Sequence, residues 1–161
     1  MRTLLAAACL ATALTPAFGA DRWQAVMPAL GNGAATCFDP EVPADQVCGA
    51  LLCHKFVLNF GIMQMDDAEP RVPMDTSDSA PPMDALIDID GVVETRRMRS
   101  QHLAGVLLLV LTPISSSDEL FKRLVTGKRL RISMGSPTQD FEFTLDGAAE
   151  AFPSVVAACQ R

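Results

Sequence analysis

Residues 128–145 have the sequence KRLRISMGSPTQDFEFTL, in which apolar and polar side chains alternate on both sides of a Gly/Pro turn. A period of two on each side of such a turn is typical of a half-buried antiparallel hairpin. If the turn spans Gly135 to Thr138, apolar side chains meet on one face and opposite charges meet on the other. The predicted cross-strand pairs are Ile132 with Phe141, Leu130 with Phe143, and Arg131 with Glu142.

A last helix is predicted after this hairpin. Asp146 is positioned to act as its N-cap, because a carboxylate accepts a hydrogen bond from a free backbone N–H group of the first turn. Pro153 follows about two turns later, so we expect the helix to kink there or to begin at Phe152. The residues expected to face inward are Phe152, Val155, Val156 and Cys159.

The region before the hairpin predicts a strand and then a helix. Leu103 to Leu111 is almost entirely apolar, which is typical of a central strand covered on both faces, and Pro113 is expected to end it. Ser117 is expected to cap the helix, which has acidic residues in its first turn and Gly127 just past its end.

Another hairpin is predicted around Asp90-Gly91, a dipeptide favoured in two-residue turns. Its strands extend over Asp84 to Met98, so that Arg97 can face Asp84. Ser100-Gln101 is then expected to form the turn into the apolar strand.

The first half of the chain is predicted to be less regular. Asp21 to Leu30 has the apolar spacing of a short amphipathic helix, and residues 34–50, with two prolines and two cysteines, predict an irregular segment. Leu52 to Met65 alternates as one long strand. Residues 66–83 are acidic and rich in proline, and they predict a long mobile loop. The apolar face of the long strand comprises Phe56, Leu58, Phe60 and Ile62.

These elements define an α+β fold. We expect an antiparallel sheet of about five to seven strands, with two or three short helices on one face, stapled by disulfide bonds. No repeat or second domain is indicated, so residues 21–161 are expected to form a single domain.

Residues 1–20 have the pattern of a secretory signal peptide. Arg2 precedes an apolar run, and Gly19-Ala20 precede an expected cleavage site at Asp21. The run is shorter than the about 20 residues that a membrane-spanning helix requires. We therefore expect a periplasmic or secreted protein with no transmembrane segment in the mature chain.

Four cysteines remain after this cleavage, and an even number in an exported chain predicts two disulfide bonds with three possible pairings. Because one cysteine lies near the C-terminus, any full pairing ties that end to the region 37–53. A metal site that includes His54 is the alternative, but the spacing is not that of a zinc knuckle. The four cysteines are Cys37, Cys48, Cys53 and Cys159.

Charge is unevenly distributed along the chain. The formal net charge is −6, and loss of Arg2 with the signal makes it −7. The segment Val92–Arg131 nevertheless has a net charge of +5, with eight basic and three acidic residues. This band predicts an anion-binding or partner-binding site on the polar sheet face, although internal neutralisation by facing acids is the alternative. The candidate site residues are Arg96, Arg97, Arg99, Arg129 and Arg131.

The sequence gives weaker indications of three other functions, namely nucleic-acid binding, copper binding and hydrolysis. The chain is acidic and has no tyrosine, and the band lacks interleaved aromatic residues, so nucleic acid is not an expected partner. Thioethers are ligands for Cu(I), which makes a periplasmic copper-binding protein using Met63, Met65 and Met74 an alternative hypothesis, although packing explains the first two equally well. A hydrolase using His54 or His102 is a further alternative, but no G-x-S-x-G motif accompanies them.

A loose motif covers about forty residues near the C-terminus. It comprises Leu120, Leu124, Gly127, Leu130-Arg131-Ile132, Phe141, Phe143, Leu145, Asp146-Gly147 and Ala151. These positions resemble the closing part of small exported Gram-negative proteins of the invasion-associated locus B type. The sequence departs from that pattern at Ala148, where the family usually has Phe, and in its upstream cysteines. The resemblance implies a non-enzymatic accessory protein linked to the envelope or to host contact, and it supplies no catalytic residues.

Taken together, these patterns predict a non-enzymatic exported binding module without a cofactor. Its expected partner is an envelope or secretion-system protein, or an anionic envelope component, contacted through a charged sheet face.

Overall fold

All strands described in the computed structural model belong to one antiparallel sheet, in the order β1-β2-β3-β4-β7-β6-β5-β8-β9. The structure describes residues 22–26, 32–36, 47–65, 81–103, 107–136 and 139–160. Within them the strands are β1 Gln24–Val26, β2 Gly33–Ala35, β3 Cys48–His54, β4 Val57–Met65, β5 Met83–Ile89, β6 Val92–Leu103, β7 Leu107–Ile114, β8 Arg129–Ser133 and β9 Asp140–Thr144. The helices are α1 Glu119–Thr126 and α2 Ala148–Cys159. The α+β class agrees with prediction. The described strands are more numerous than predicted, and two of the three helices predicted along the chain are present.

The hairpin of β8 and β9 has the predicted register. All three predicted pairs are present, and Leu130, Ile132 and Phe141 are buried. At the turn, Gly135 has a φ of 83°, and the Met134 N–H donates to the Gln139 carbonyl at 3.1 Å. Local alternation specified this part of the sheet because both strands and their turn are contiguous in sequence.

The hairpin of β5 and β6 is also confirmed. Asp90 and Gly91 form its two-residue turn with φ values of 52° and 87°, and Arg97 lies opposite Asp84. The Asp90 carboxylate additionally accepts hydrogen bonds from the backbone N–H groups of Lys128 and Arg129, at 2.9 and 3.0 Å. This turn therefore fastens the hairpin to β8.

The single long strand predicted over residues 52–65 is wrong. The chain reverses at Lys55 and Phe56, so that β3 and β4 form a hairpin in which His54 pairs with Val57. Both turn residues have positive φ, a conformation that Asn and Gly favour, so the sequence has no conventional turn signal here. The alternation of the second half persists, with Leu58, Phe60 and Ile62 buried.

The predictions for the N-terminal region are also corrected. Residues 24–26 form β1 rather than part of a helix, because they pair with β2 in the sheet. The segment predicted as irregular contains β2 and the start of β3. The expected signal peptide, Cys37 and most of the acidic loop lie outside the described residues, and β5 already begins at Met83.

The end of β6 and the end of β7 both differ from prediction. Ser100 and Gln101 lie within β6, so the predicted turn there is wrong. Strand β7 continues past Pro113 to Ile114, because the pairing with β6 stops at Leu111. Pro113 has no residue of β6 opposite it. The N–H group that proline lacks is therefore not needed for a hydrogen bond to a described strand on that side of β7.

The helix caps are each displaced by one residue. Asp118, not Ser117, caps α1, and its carboxylate accepts from the Leu120 N–H at 3.0 Å. Gly147, not Asp146, is the N-cap of α2, with a φ of 78° that disfavours a residue with a Cβ atom. Helix α2 runs through Pro153, which is exposed, so the carbonyl that loses its partner lies on the solvent side.

The main core lies between the helices and one face of the sheet. It includes the inward side chains of most strands together with Leu120, Leu124, Phe152 and Val155. Cys53 at the end of β3 is bonded to Cys159 at the end of α2, which confirms that a disulfide ties the C-terminal helix to the front of the chain. Cys48 is also disulfide-bonded, to a residue outside the described ranges.

Candidate binding surface

The side of the sheet opposite the helices has two contrasting halves. Over most of β2, β3, β4 and β7 it is apolar and buried, and the exceptions at one end include His54, Asn59 and Pro113. The buried residues form a second cluster of Ala35, Cys48, Ala50, Leu52, Met63, Leu109 and Leu111. Over β5, β6, β8 and β9 none of the described side chains on this side is buried. We call this second half the open face. By register its described side chains are those of Asp84, Leu86, Asp88, Val93, Thr95, Arg97, Arg99, Gln101, Arg129, Arg131, Ser133, Asp140, Glu142 and Thr144.

Four of the five candidate arginines lie on the open face. Arg97 and Arg99 project from β6, and Arg129 and Arg131 project from β8, because residues two apart in a strand share a face. The period-two pattern of the two hairpins therefore places these four arginines on one face of the sheet.

Arg96 lies on the other side of the sheet, beside α1. Its guanidinium donates to the Asp118 carboxylate at 2.8 Å and also pairs with Glu94, which in turn pairs with Arg123. The hydrogen bond from Arg96 is the main cause that lowers the pKa of Asp118. These four side chains are half-buried, and they join β6 to α1. Arg96 is therefore separated from the other candidates by the sheet.

Two arginines of the open face are internally paired. Arg97 lies 3.6 Å from the Asp84 carboxylate, and Arg131 pairs with Asp140. The hydrogen bond from Arg131 lowers the pKa of Asp140. For these two arginines the structure therefore has the pairing with facing acids that the sequence analysis gave as the alternative to a binding site.

Arg99 and Arg129 are different. Both are exposed, and in the described part of the chain neither forms an ion pair. They lie at opposite ends of the open face, about 25–30 Å apart from the strand spacing and the rise per residue. A single phosphate cannot contact both, whereas a macromolecule can.

Exposed apolar residues lie between these charges. Leu86 on β5 is 48% exposed, and Val93 on β6 is 56% exposed. They are diagonal neighbours, because Leu86 pairs with Thr95, two residues from Val93. The prediction of the site omitted them, although the alternation around Asp90-Gly91 would have placed both on the polar face.

One end of the open face has a shallow depression of about 520 Å³. Its lining includes Arg129 and Arg131, but also Asp88, Asp90 and Glu142. This mixture of charges favours a partner surface with charges of both signs over a simple anion.

The alternative sites do not assemble in the described residues. Met63 is buried in the second apolar cluster, while the side chain of Met65 and all of Met74 lie outside the described ranges. His54 is exposed next to the β3–β4 turn, and the side chain of His102 is not described. The described ranges contain no group of three or more His, Cys, Asp or Glu residues able to hold a metal ion. Neither described helix has the length and apolar character needed to cross a membrane.

The molecule thus belongs to the class of α+β proteins with a large antiparallel sheet, of which one face is exposed over half of the strands. No protein-family model matches the chain, and no curated protein matches it. Its structure is similar to the crystal structure of invasion associated protein b from Bartonella henselae, with a TM-score of 0.47 and 13% identity over 86% of this chain and 93% of that chain. A structural similarity at this level does not support an inference about function.

Proposed function

We propose that this chain is a non-enzymatic exported binding module whose open face contacts a macromolecular partner in the cell envelope. The proposal is based on the contrast between two halves of the sheet on the side opposite the helices. The described side chains over β5, β6, β8 and β9 are not buried there, whereas most of those over β2, β3, β4 and β7 are. An uncovered sheet face with exposed apolar residues among charges is a common form of protein-binding surface.

The partner class follows from the chemistry of the face. Leu86 and Val93 provide a small apolar centre. Arg99 and Arg129, which form no ion pair with a described residue, provide positive charge at its two ends. We infer that the partner is an envelope or secretion-system protein that presents apolar side chains flanked by carboxylates. An anionic envelope component is the alternative outcome, because it would use the arginines but not the apolar pair.

Site-specific photocrosslinking in intact cells tests this proposal. A photoreactive amino acid replaces Val93 on the open face, and a matched variant carries it at Lys122, an exposed residue of α1 on the other side of the sheet. We expect a discrete crosslinked protein from position 93 and none from position 122. Equal products from both positions, or no product from position 93, would contradict the proposal.

The copper-binding alternative has less support from the fold. Met63 packs among apolar side chains with 6% exposure, which leaves its thioether little access to a metal ion. The hydrolase alternative has no assembled nucleophile and base among the described side chains on which to build a mechanism.

A further inference from the structure

The tip of the β3–β4 hairpin presents an exposed aromatic side chain. Phe56 is 77% exposed, and Val57 beside it is 45% exposed. Lys55 and Phe56 both have positive φ, at 50° and 65°. The tip thus combines an unfavourable backbone conformation with an apolar side chain in water.

This combination is unfavourable to the fold. Two-residue turns with positive φ at both positions are normally formed by Asn and Gly, which reach this conformation at low cost. Phe56 gains little from packing in return, because most of its ring faces solvent. Strained backbone together with an exposed large apolar residue is typical of a contact surface.

We propose that this turn inserts Phe56 and Val57 into the interfacial layer of an anionic lipid membrane. Aromatic and aliphatic side chains at a protruding tip enter the boundary between headgroups and acyl chains, where a neighbouring cation contacts the lipid phosphates. Lys55, which is exposed beside Phe56, supplies that cation.

Charge near the tip complements such a membrane. A depression of about 240 Å³ adjoins Phe56, and none of the described residues that line it is acidic. In a chain with a formal net charge of −6, an apolar tip that bears a lysine is a favourable point of approach to an anionic surface.

The size and shape of the tip favour lipid over a protein partner. A stable protein interface buries about 800 Å² on each side. The exposed apolar surface here comes from one turn residue, Phe56, and the first residue of β4, Val57, which is too small for that but sufficient for shallow insertion.

The tip is also distinct from the open face. Strand β7 lies between the β3–β4 hairpin and β6, the nearest strand of the open face. Membrane contact at the tip is therefore a second interaction, and its test does not depend on the partner proposed for the open face.

Vesicle binding of the purified chain and its variants tests the inference. The probes are vesicles of phosphatidylcholine alone and of phosphatidylcholine mixed with phosphatidylglycerol. Glycine adopts a φ of 65° without strain, so Phe56→Gly removes the side chain without harming the turn. The matched control is Val92→Ser, at an exposed apolar residue beside the other two-residue turn.

We expect the wild type to bind the anionic vesicles and Phe56→Gly to reduce the partition coefficient by about tenfold or more, with Val92→Ser unchanged. In Phe56→Trp, brominated phospholipid should quench the new indole, whereas Trp23 is buried. No vesicle binding by the wild type, or equal binding by Phe56→Gly, would overturn the inference. A change in solution mass caused by Phe56→Gly would assign the tip to a protein contact instead.

Discussion

The ring of Trp23 packs edge to face against Phe152, with centroids 4.7 Å apart and planes at 89°. Trp23 precedes β1, at one end of the strand order, yet its Nε1 donates to the Thr144 carbonyl and its backbone N–H donates to the Asp146 carbonyl. The two ends of the strand order therefore approach each other, and this one side chain joins the start of the sheet to its last strand and last helix.

Replacing Trp23 with Phe should lower the free energy of unfolding by about 1–3 kcal/mol. The ring contact with Phe152 is largely retained, but the Thr144 carbonyl loses its donor in a mostly buried position. Urea denaturation followed by far-UV circular dichroism measures the change. Val93→Ala, at an exposed position, should change the value by less than about 0.5 kcal/mol, and an equal loss in both variants would contradict this account.

The disulfide between Cys53 and Cys159 closes a loop with a sequence separation of 106 residues. Because a long loop loses much conformational entropy in the unfolded state, replacing both cysteines with Ala should cost about 3–5 kcal/mol. Denaturation of the double variant against the wild type under oxidising conditions measures this cost. If the wild type retained two alkylatable thiols at these positions, the architecture described here would be incorrect.

Stability should depend on the charge of Asp118. The hydrogen bond from Arg96 lowers the pKa of its carboxyl in the folded state, so the stabilisation is fully present above the unfolded pKa of about 3.9 and is lost as pH falls through the folded pKa. Asp118→Asn keeps an acceptor at the helix cap but removes the charge. We expect it to cost about 1 kcal/mol at neutral pH.

The same pair of proteins gives the pH test. Between about pH 6 and about pH 3 the wild type should lose more unfolding free energy than Asp118→Asn, because only the wild type can protonate this carboxyl. Parallel pH profiles for the two proteins would contradict the role assigned to the Arg96 pair.

Phe56→Gly should raise the free energy of unfolding by about 1 kcal/mol, because it relieves the left-handed backbone and gives up little packing. For a chain of this size the melting temperature should rise by about 2–4 °C. Val57→Gly, one residue later and within β4, should have the opposite sign, since glycine weakens a strand. A decrease in stability for Phe56→Gly would show that the ring packs in solution.

Sequence alternation predicted the elements whose partners are contiguous in the chain. The β8–β9 register and the Asp90-Gly91 turn followed from residues within a span of about twenty positions. Prediction failed where a distant partner decides the structure. Residues 24–26 form a strand because β2 is beside them, and Pro113 remains in β7 because β6 no longer pairs there.

The candidate site was predictable in part for the same reason. Alternation along each strand places four of the candidate arginines on one face and Arg96 on the other. The net charge of the segment does not distinguish the two faces, so the prediction grouped all five arginines in one site. The distinction between paired and unpaired arginines required the structure, because it depends on which acid reaches each guanidinium.

The role of the open face is tested most directly by charge reversal in the photocrosslinking experiment. With the photoreactive residue at position 93, we expect Arg99→Glu combined with Arg129→Glu to abolish most of the crosslinked product. Lys122→Glu, which reverses one charge on the other side of the sheet, should leave the yield unchanged. An unchanged yield in the double arginine variant, with its folding intact by circular dichroism, would contradict the assignment of this face as the binding surface.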